Sequence, residues 1–331
     1  MNKKTLGTSG ISVSPIALGA WAIGGWMWGG SDRKDSIQAI HASLDLGISS
    51  VDTAAVYGFG LSEEIVGEAV HGRRDQFEIF NKAGLRWEES RGAYYFTTRD
   101  NQGQLRDIYK FAGKKSILHE CEQSLKRLGT DYIDLYQIHW PDPTTPVEET
   151  MEAFQLLKQQ GKIRAAGVSN YSVEELEQAC RVMEPASNQV PYSMVRRDIE
   201  QDVVPWCIAR HCGILAYSPL QRGLLTGKIT PDYPFRPGDS RPETPHFRIN
   251  NLIRINQFLE KLKPLAESKN ATLSQLVIRW TLQQPGISVV LVGARDSTQV
   301  KENAGALSII LSDGELEFID RELNELELDL N

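Results

Sequence analysis

The sequence predicts an α/β protein that folds as a single (β/α)8 TIM barrel, with an N-terminal β-hairpin and long loops at the C-terminal face. Eight short apolar segments alternate with amphipathic ones along the 331 residues, and this alternation indicates a parallel sheet. Eight strand–helix units in a chain of this length fit a closed barrel better than an open sheet. Because no linker rich in Gly, Ser or Pro divides the chain, we expect residues 1–331 to form one domain.

The predicted elements follow one another along the whole chain. Turn-forming residues at 7–10 predict a hairpin within residues 3–18. The predicted barrel strands are 14–19, 48–51, 77–81, 132–138, 161–168, 186–190, 213–217 and 286–292. Apolar residues at helical spacing, often ended by a glycine such as Gly47 or Gly129, predict the helices. These helices lie at 32–45, 62–70, 116–128, 147–159, 172–181, 202–210, 250–268 and 274–283, with two more at 296–304 and 312–326.

Two connections are longer than strand–helix loops usually are. Residues 84–114 are rich in aromatic and charged side chains, and residues 221–248 are rich in Pro and Gly. Long loops at the mouth of a barrel commonly form lids or belts over a functional site. We therefore expect both to cover the mouth, with disorder as the alternative.

Composition excludes several classes of protein. The chain is 41% hydrophobic and 24% charged, with a formal net charge of −7, so we expect no general attraction for nucleic acid or anionic membranes. It has no run of eighteen apolar residues and no apolar segment after its first lysines, which predicts a cytoplasmic protein. The four cysteines are scattered without matching ligands, so we expect free thiols and no metal site. The sequence does not indicate an oligomeric state.

Polar side chains close three of the predicted strands. Asp52 follows the strand 48–51 and is itself followed by Tyr57, Lys82 follows 77–81, and His139 follows 132–138. Taken singly, these residues would be a helix cap, a packed rim tyrosine, a surface lysine and a satisfied rim histidine. In a parallel barrel, however, all strand carboxyl ends face one mouth. We therefore expect the four side chains to meet there, where charged neighbours would tune the phenol for proton transfer.

Tryptophans are concentrated near the same strand ends. Trp21, Trp26 and Trp28 lie among glycines in residues 20–30, either as a packed loop or as an aromatic wall over a pocket. We favour the wall. The predicted substrate pocket comprises Trp21, Trp26, Tyr57, Trp87, His139 and Trp140. The arginines of the long connection after Lys82 could admit an anionic or hydroxylated substrate; they are Arg86, Arg91 and Arg99.

Short motifs along nearly the whole chain carry a family resemblance. They are LGAW at 18–21, DTA at 52–54, YG at 57–58, SEE at 62–64, Lys82, SLKRL at 124–128, DYIDLY at 131–136, HWPD at 139–142, GKIR at 161–164, GVSN at 167–170, YSPL at 217–220, RGLLTGK at 222–228 and GAR at 293–295. With these motifs the sequence resembles the aldo-keto reductase superfamily, in particular the branch of the bacterial general stress protein 69. The connection after Lys82 departs from the pattern by its length, which leaves the substrate open.

The resemblance implies NADPH-linked reduction of aldehydes or ketones to alcohols. It also implies that Asp52, Tyr57, Lys82 and His139 form the catalytic tetrad, with Tyr57 as the proton donor. Lys82 would lower the pKa of Tyr57, Asp52 would hold Lys82 in place, and His139 would orient the substrate carbonyl. We expect small hydroxylated aldehydes, such as glyceraldehyde or sugar aldehydes, as substrates.

The cofactor assignment starts from the absence of a Gly-x-Gly-x-x-Gly motif after a strand, which excludes the Rossmann fingerprint. The resemblance implies that Ser169, Asn170 and Gln189 bind the nicotinamide carboxamide, that Tyr217 stacks on the ring, and that Arg295 binds the 2′-phosphate. The full set implied to bind NADPH is Ala20, Trp21, Asp52, Ser169, Asn170, Gln189, Tyr217, Ser218, Pro219, Leu220, Arg222, Gly223, Leu224, Lys228, Gly293, Arg295, Gln299, Glu302 and Asn303.

Three other functions are consistent with parts of the sequence. A metal-dependent barrel hydrolase would need several His and Asp residues at strand ends, but only His139 and Asp52 qualify. Some relatives of the superfamily are cofactor-sensing subunits of potassium channels, and these keep the tetrad as well. A structural protein with a vestigial site is disfavoured by an intact tetrad.

Overall fold

The computed structural model describes residues 3–235, 239 and 241–330. In chain order its strands are β1 (Lys4–Thr5), β2 (Ser12–Val13), β3 (Ile16–Gly19), β4 (Ser50–Asp52), β5 (Glu78–Ala83), β6 (Leu85–Arg86), β7 (Ala93–Arg99), β8 (Leu105–Lys110), β9 (Ile133–Ile138), β10 (Ile163–Ser169), β11 (Ser187–Pro191), β12 (Gly213–Tyr217) and β13 (Ile287–Gly293). The helices are α1 (Arg33–Asp45), α2 (Leu61–Val70), α3 (Lys114–Leu128), α4 (Val147–Gln159), α5 (Val173–Cys180), α6 (Val203–Ala209), α7 (Ile249–Ser268), α8 (Leu273–Gln283), α9 (Ser297–Gly305) and α10 (Asp313–Asn324).

Eight of the strands close into a parallel barrel in the order β3-β4-β5-β9-β10-β11-β12-β13, with β13 pairing back onto β3. The predicted (β/α)8 fold is confirmed. These strands read as short apolar runs because a parallel sheet wrapped by helices is buried on both faces. Parallel pairing brings every strand carboxyl end to one rim. Along that rim Gly19 of β3 is opposite Asp52 of β4, and Lys82 of β5 is opposite Gln137 of β9.

The predicted hairpin is present at the opposite end of the barrel. β1 and β2 pair antiparallel, with Lys4 opposite Val13. Leu6 and Val13 are fully buried in a cluster with Leu215 and Val289 from the barrel strands. The hairpin therefore plugs the amino-terminal end of the barrel and leaves the carboxyl-terminal mouth open for a site.

The connection 84–114 is a small antiparallel sheet rather than an unstructured loop. Its strands lie in the order β6-β8-β7. The run from Tyr94 to Thr98 consists of aromatic and β-branched residues, which favour a half-buried pleated surface. At the hairpin tip, the Asp100 carboxylate accepts hydrogen bonds from the backbone N–H groups of Gln102 and Gln104. We call residues 84–110 the inserted sheet.

The second long connection, 221–248, contains three short 3-10 turns at Gln221–Thr226, Arg241–Glu243 and Pro245–Phe247. Positions 236–238 and 240 of this connection lie outside the described residues.

Several predicted helix starts agree with the structure within one or two residues, because α5, α8 and α10 each begin with a complete capping box. Over the described ranges, no helix combines the length and apolar character needed to cross a membrane.

Substitution of two glycines by alanine tests how the helices pack around the barrel. Gly67 of α2 faces the end of α3, where a Cβ atom would lie 2.6 Å from the carbonyl oxygen of Leu128. We expect Gly67→Ala to lower the free energy of unfolding by about 1–3 kcal/mol, because backbone would have to move. Urea unfolding followed by circular dichroism measures this change.

Gly314 in α10 provides the matched control, because a Cβ atom there meets nothing within 4 Å. We expect Gly314→Ala to raise the free energy of unfolding by about 0.4–1 kcal/mol through higher helix propensity and a less flexible unfolded chain. Equal effects of the two substitutions would contradict the close contact between α2 and α3.

Candidate active site

Four predicted side chains meet at the carboxyl-terminal mouth of the barrel. The Lys82 ammonium donates to Asp52 Oδ2 at 2.5 Å, to the Thr53 carbonyl oxygen at 3.1 Å and to the Tyr57 hydroxyl at 3.3 Å. The Tyr57 and His139 rings meet edge to face with centroids 5.5 Å apart. The phenol oxygen, an ammonium and an imidazole therefore surround one point at the base of the mouth.

Backbone hydrogen bonds between neighbouring strand ends hold this arrangement. The Thr53 N–H donates to the carbonyl oxygen of Phe80, and the His139 N–H donates to that of Ala83. Beyond Tyr57, the backbone packs so closely on Gly24 that a Cβ atom there would lie 2.7 Å from the Tyr57 carbonyl group. Strand pairing and one glycine contact thus fix residues that are far apart in sequence.

The electrostatics of Tyr57 differ from the expectation. Burial, and then the charge of the Asp52 carboxylate, raise the pKa of Tyr57 well above its usual value near 10. The expected net lowering by Lys82 is therefore wrong, because desolvation and Asp52 both penalise the phenolate. Burial also lowers the pKa of Lys82, although the ion pair with Asp52 opposes that shift. Tyr57 consequently keeps its proton at neutral pH and is able to donate it.

The His139 imidazole is held neutral. Burial, and then the nearby Lys82 charge, lower the pKa of His139 well below its usual value of 6.5. A neutral imidazole has one N–H donor and one acceptor nitrogen. His139 can therefore donate a hydrogen bond to a carbonyl oxygen without adding a second cation beside Lys82.

Amide and hydroxyl groups form a connected layer next to the four side chains. Gln189 donates to Asp52 Oδ1 at 2.8 Å, so both carboxylate oxygens of Asp52 are engaged. Asn170 donates to the carbonyl oxygen of His139 at 3.0 Å and accepts from the Tyr217 hydroxyl at 2.9 Å. Ser169 donates to the backbone carbonyl of Gln189 at 2.8 Å. These are the groups expected to bind a carboxamide, and β10, β11 and β12 place them side by side.

A single cavity of about 660 Å³ opens over this layer. Its lining changes in character around the rim. Loops after β12 and β13 contribute the cationic residues Arg222, Lys228, Arg241 and Arg295. Loops after β3, β4, β5 and β9 contribute aromatic side chains and His139; the aromatic ones are Trp21, Trp26, Trp28, Tyr57, Tyr95, Phe96 and Trp140. The cavity thus has a cationic half and an aromatic half.

Most of the predicted cofactor and substrate residues border this cavity. Besides those already named, the lining includes Asp52, Ser169, Asn170, Gln189, Tyr217, Ser218, Pro219, Leu220, Gly223, Gly293 and Gln299. Lys82 lies beneath the lining and contacts it through the Tyr57 hydroxyl. The predicted cofactor residues that do not border the cavity are Ala20, Leu224, Glu302 and Asn303.

These four residues support the lining instead. The Ala20 N–H donates to the backbone oxygen of Asp52, and Leu224 is fully buried in the core. Glu302 lies 3.9 Å from the Lys228 ammonium, and the Asn303 amide donates to the carbonyl of Gly293 at 3.3 Å.

Four residues predicted near the substrate point elsewhere. Trp87 packs edge to face on Phe59 behind the aromatic wall, with ring centroids 5.5 Å apart. Arg86 is buried and hydrogen-bonded to Ser116 and Glu88. Arg91 lies over the Phe111 ring at 4.7 Å, and Arg99 donates to the carbonyl of Gly103. None of the three arginines borders the cavity, because each is engaged by another part of the protein.

Several cavity residues were not predicted from the sequence, among them Met27, Val56, Leu85, Tyr95, Phe96, Thr226, Ile229, Tyr233 and Arg241. Recognising β7 as a strand would have pointed to only one of Tyr95 and Phe96, because adjacent residues of a regular strand face opposite sides. Both border the cavity because the register shifts between Tyr94 and Phe96. No comparable pattern marks Tyr233 or Arg241. Within the residues that the structure describes, no three His, Cys, Asp or Glu side chains group as a metal ion would require.

Residues 15–324 match the family model described as "Aldo/keto reductase family". The chain belongs to the aldo/keto reductase family. Aldo-keto reductase YhdN of Bacillus subtilis (strain 168) is 42% identical to it over 304 residues, which are 91% of this chain and 87% of that protein. The NADH-specific methylglyoxal reductase of Escherichia coli (strain K12) is 38% identical over 321 residues, 95% of this chain and 96% of that protein.

Solved structures of other aldo/keto reductases share the whole fold. The glycerol dehydrogenase AKR11B4 from Gluconobacter oxydans has a TM-score of 0.89 at 37% identity, covering 99% of this chain and 98% of that one. An aldo/keto reductase from Klebsiella pneumoniae in complex with NADP and acetate has a TM-score of 0.72 at 29% identity, covering 97% and 95%. The predicted family is confirmed, and with it an oxidoreductase of carbonyl or alcohol groups that uses a nicotinamide cofactor.

The neutral state of His139 predicts how the stability of this aldo/keto reductase depends on pH. The unfolded chain binds a proton at this imidazole near pH 6.5, whereas the folded protein does not until the pH is well below that value. Acidification below about pH 6.5 therefore favours unfolding. We expect His139→Gln to weaken the fall in the free energy of unfolding between pH 7.5 and pH 5.5, as measured by urea unfolding at each pH.

The exposed His71 provides the control for that measurement. His71→Gln should leave the pH dependence of unfolding as it is in the unmodified protein. A direct check is the imidazole resonance of His139 in NMR spectra. An imidazole that becomes protonated near pH 6.5 in the folded protein would refute the assignment.

Proposed function

We propose that this protein reduces aldehydes or ketones to alcohols with NADPH, with Tyr57 as the proton donor. The observation that carries the proposal is the convergence of Asp52, Tyr57, Lys82 and His139 at the base of one cavity. Each group has a role that carbonyl reduction needs, since negative charge develops on the carbonyl oxygen and must be stabilised and then protonated.

The position of each residue suggests its role in the reduction. Tyr57, whose raised pKa keeps the phenol protonated, would give its proton to the developing alkoxide. The phenolate left behind would be stabilised by the Lys82 ammonium at 3.3 Å. Asp52 would keep that ammonium in place from a buried position. The neutral His139 would donate a hydrogen bond to the carbonyl oxygen and fix its orientation.

The cationic half of the cavity fits a dinucleotide phosphate. When bound, the nicotinamide supplies the hydride that reduces the carbonyl carbon. Arg222, Lys228 and Arg295 would neutralise its phosphate groups, whereas the Arg241 guanidinium is already paired with the Asp239 carboxylate. The backbone turn beside them depends on Gly223, whose φ of +92° few other residues adopt. Asn170 and Gln189 lie between this half and Tyr57, where they would bind the carboxamide.

The alternatives predict different behaviour of the purified protein. A channel subunit that only senses the cofactor would bind NADPH but turn over simple aldehydes too slowly for catalysis. A metal-dependent hydrolase would lose its activity to a chelator.

We further propose a cytoplasmic location, supported by four cysteines that are all free thiols. The single-domain interpretation of residues 1–331 stays a prediction.

Tyr57→Phe tests the proton donor. We expect turnover in NADPH-dependent aldehyde reduction to fall about a hundredfold or more, because positioned proton transfer is lost. NADPH affinity, measured by quenching of tryptophan fluorescence, should remain. Tyr94→Phe, at an exposed position of β7, is the control and should keep full turnover. Near-normal turnover of Tyr57→Phe would contradict the proposal.

Arg295→Ala tests the preference for NADPH over NADH, which matters because one relative is named NADH-specific. The Arg295 guanidinium is exposed at the rim and donates to the carbonyl of Trp28 at 3.4 Å. Hydrogen bonds to charged groups contribute about 1.5–3 kcal/mol. We therefore expect the ratio of the KM values for NADH and NADPH to fall about tenfold or more.

The control for Arg295→Ala is Arg321→Ala, which removes a guanidinium from the exposed surface of α10. It should leave both KM values unchanged. Equal KM values for NADH and NADPH in the unmodified protein would show that the 2′-phosphate assignment is wrong.

A further inference from the structure

The pairing of β5 with β4 becomes irregular where these strands reach the mouth of the barrel. Phe80 lies opposite Asp52, and the Thr53 N–H donates to the Phe80 carbonyl at 2.8 Å. Further along, the Ala55 N–H donates to the Lys82 carbonyl at 3.5 Å. Because the bonds of a parallel ladder are evenly spaced, a regular continuation would have the Lys82 N–H donate to the Thr53 carbonyl oxygen.

A side chain replaces that backbone hydrogen bond. The Lys82 N–H donates instead to Asn81 Oδ1 at 2.9 Å. The Thr53 carbonyl oxygen is thereby left for the Lys82 ammonium, which donates to it at 3.1 Å. Asn81 and Lys82 are 0% and 1% exposed, so solvent does not compete for either contact.

A buried carboxylate determines which end of the Asn81 amide faces Lys82. Asn81 Nδ2 donates to Glu63 Oε1 at 2.7 Å, and Glu63 Oε2 accepts from the Arg127 guanidinium. An ionised carboxylate only accepts hydrogen bonds, whereas an amide has a donor end and an acceptor end. Glu63 therefore binds the nitrogen of the Asn81 amide and leaves its oxygen toward the Lys82 N–H.

From this arrangement we infer that Asn81 is a positioning residue for carbonyl reduction: its side chain takes the Lys82 N–H, so that the Thr53 carbonyl oxygen can hold the Lys82 ammonium beside Tyr57. The inference rests on the proposed function, in which this ammonium stabilises the Tyr57 phenolate. Asn81 does not border the cavity and acts through Lys82. Glu63 acts one step further away, because it orients Asn81.

NMR spectra of the protein without cofactor test the hydrogen bonds directly. Scalar couplings across a hydrogen bond connect a backbone amide nitrogen with the carbonyl carbon of its acceptor. In the unmodified protein we expect no such coupling between the Lys82 nitrogen and the Thr53 carbonyl carbon. In Asn81→Ala the Lys82 N–H loses its acceptor, and the coupling should appear. Its presence in the unmodified protein, or its absence from Asn81→Ala, would overturn the inference.

Asn81→Ala should also slow the reaction, because the Lys82 ammonium then shares the Thr53 carbonyl oxygen with the Lys82 N–H. Since small misplacements of reacting groups cost up to about a hundredfold in rate, we expect kcat for NADPH-dependent aldehyde reduction to fall about ten- to hundredfold. The Kd for NADPH should change little. In alcohol oxidation, the pH of half-maximal kcat should rise, because the Tyr57 phenolate is stabilised less. An unchanged kcat and pH profile would contradict the positioning role.

Ile319→Ala separates positioning from a general loss of stability. Ile319 is fully buried on α10, so its truncation destabilises the fold without touching Asn81 or Lys82. We expect kcat and the pH profile of folded Ile319→Ala to match those of the unmodified protein. The same changes as in Asn81→Ala would show that the effect of Asn81 is only structural.

An exchange of amide and carboxylate tests the orienting role of Glu63. In Glu63→Gln, the Arg127 guanidinium should bind the oxygen of the new amide, whose nitrogen then faces Asn81. Asn81 would turn its own nitrogen toward the Lys82 N–H, so that two donors meet, and kcat should fall as in Asn81→Ala. Adding Asn81→Asp supplies an acceptor at both ends and should restore kcat about tenfold. A double variant no faster than Glu63→Gln would overturn this role.

The two levels of the proposal fail in different ways. Failure of every aldehyde to oxidise NADPH with the unmodified protein would refute the proposed function, and with it the role of Asn81 in the reaction. Normal reduction by the unmodified protein together with unchanged kinetics of Asn81→Ala and Glu63→Gln would refute the positioning role alone.

Discussion

The buried ion pair between Lys82 and Asp52 is the interaction on which the rest of the site depends. Both side chains are almost completely removed from solvent, with 0% and 4% of their surfaces exposed. A buried ion pair is tolerable only when its remaining polar groups are also satisfied. Here the ammonium also reaches Thr53 and Tyr57, and the second carboxylate oxygen accepts from Gln189. These contacts hold the Tyr57 phenol in position. Loss of either Lys82 or Asp52 would leave the other charge buried without a partner, which would lower the free energy of unfolding.

The order of strands around the barrel determines how the cavity is divided. The neighbours β12 and β13 carry the cationic loops, while β10 and β11 carry the amide layer. The remaining four strands, β9, β5, β4 and β3, carry the aromatic half together with Tyr57 and His139. On one side of the closed barrel, the amide layer lies between the aromatic half and the cationic half of the cavity. On the other side the two halves meet directly, where Gly19 of β3 lies next to Gly293 of β13. A cofactor and a substrate would therefore meet above Tyr57, each in a chemically suitable half.

The inserted sheet shows why a long connection is difficult to interpret from composition alone. Its aromatic and charged residues suggested a lid that offers arginines to a substrate, yet aromatic side chains of this connection border the cavity and its arginines do not. Tyr95 and Phe96 border the cavity, whereas Arg86 is buried against Ser116 and Glu120. Side chains on successive residues of a regular strand point to opposite faces, but the register of β7 shifts between Tyr94 and Phe96. This irregularity, which composition does not reveal, allows both Tyr95 and Phe96 to border the cavity.

The sequence by itself determined the barrel, the family and the four residues at the strand ends, because apolar periodicity and strand-end motifs are local properties of the chain. It predicted the hairpin and the long connections as well. Only the tertiary structure decided that Tyr57 has a raised rather than a lowered pKa, since desolvation depends on everything packed around the phenol. In the same way, contacts between distant segments decided that Lys110, Tyr95 and Trp140 form one wall, and no local pattern records such contacts.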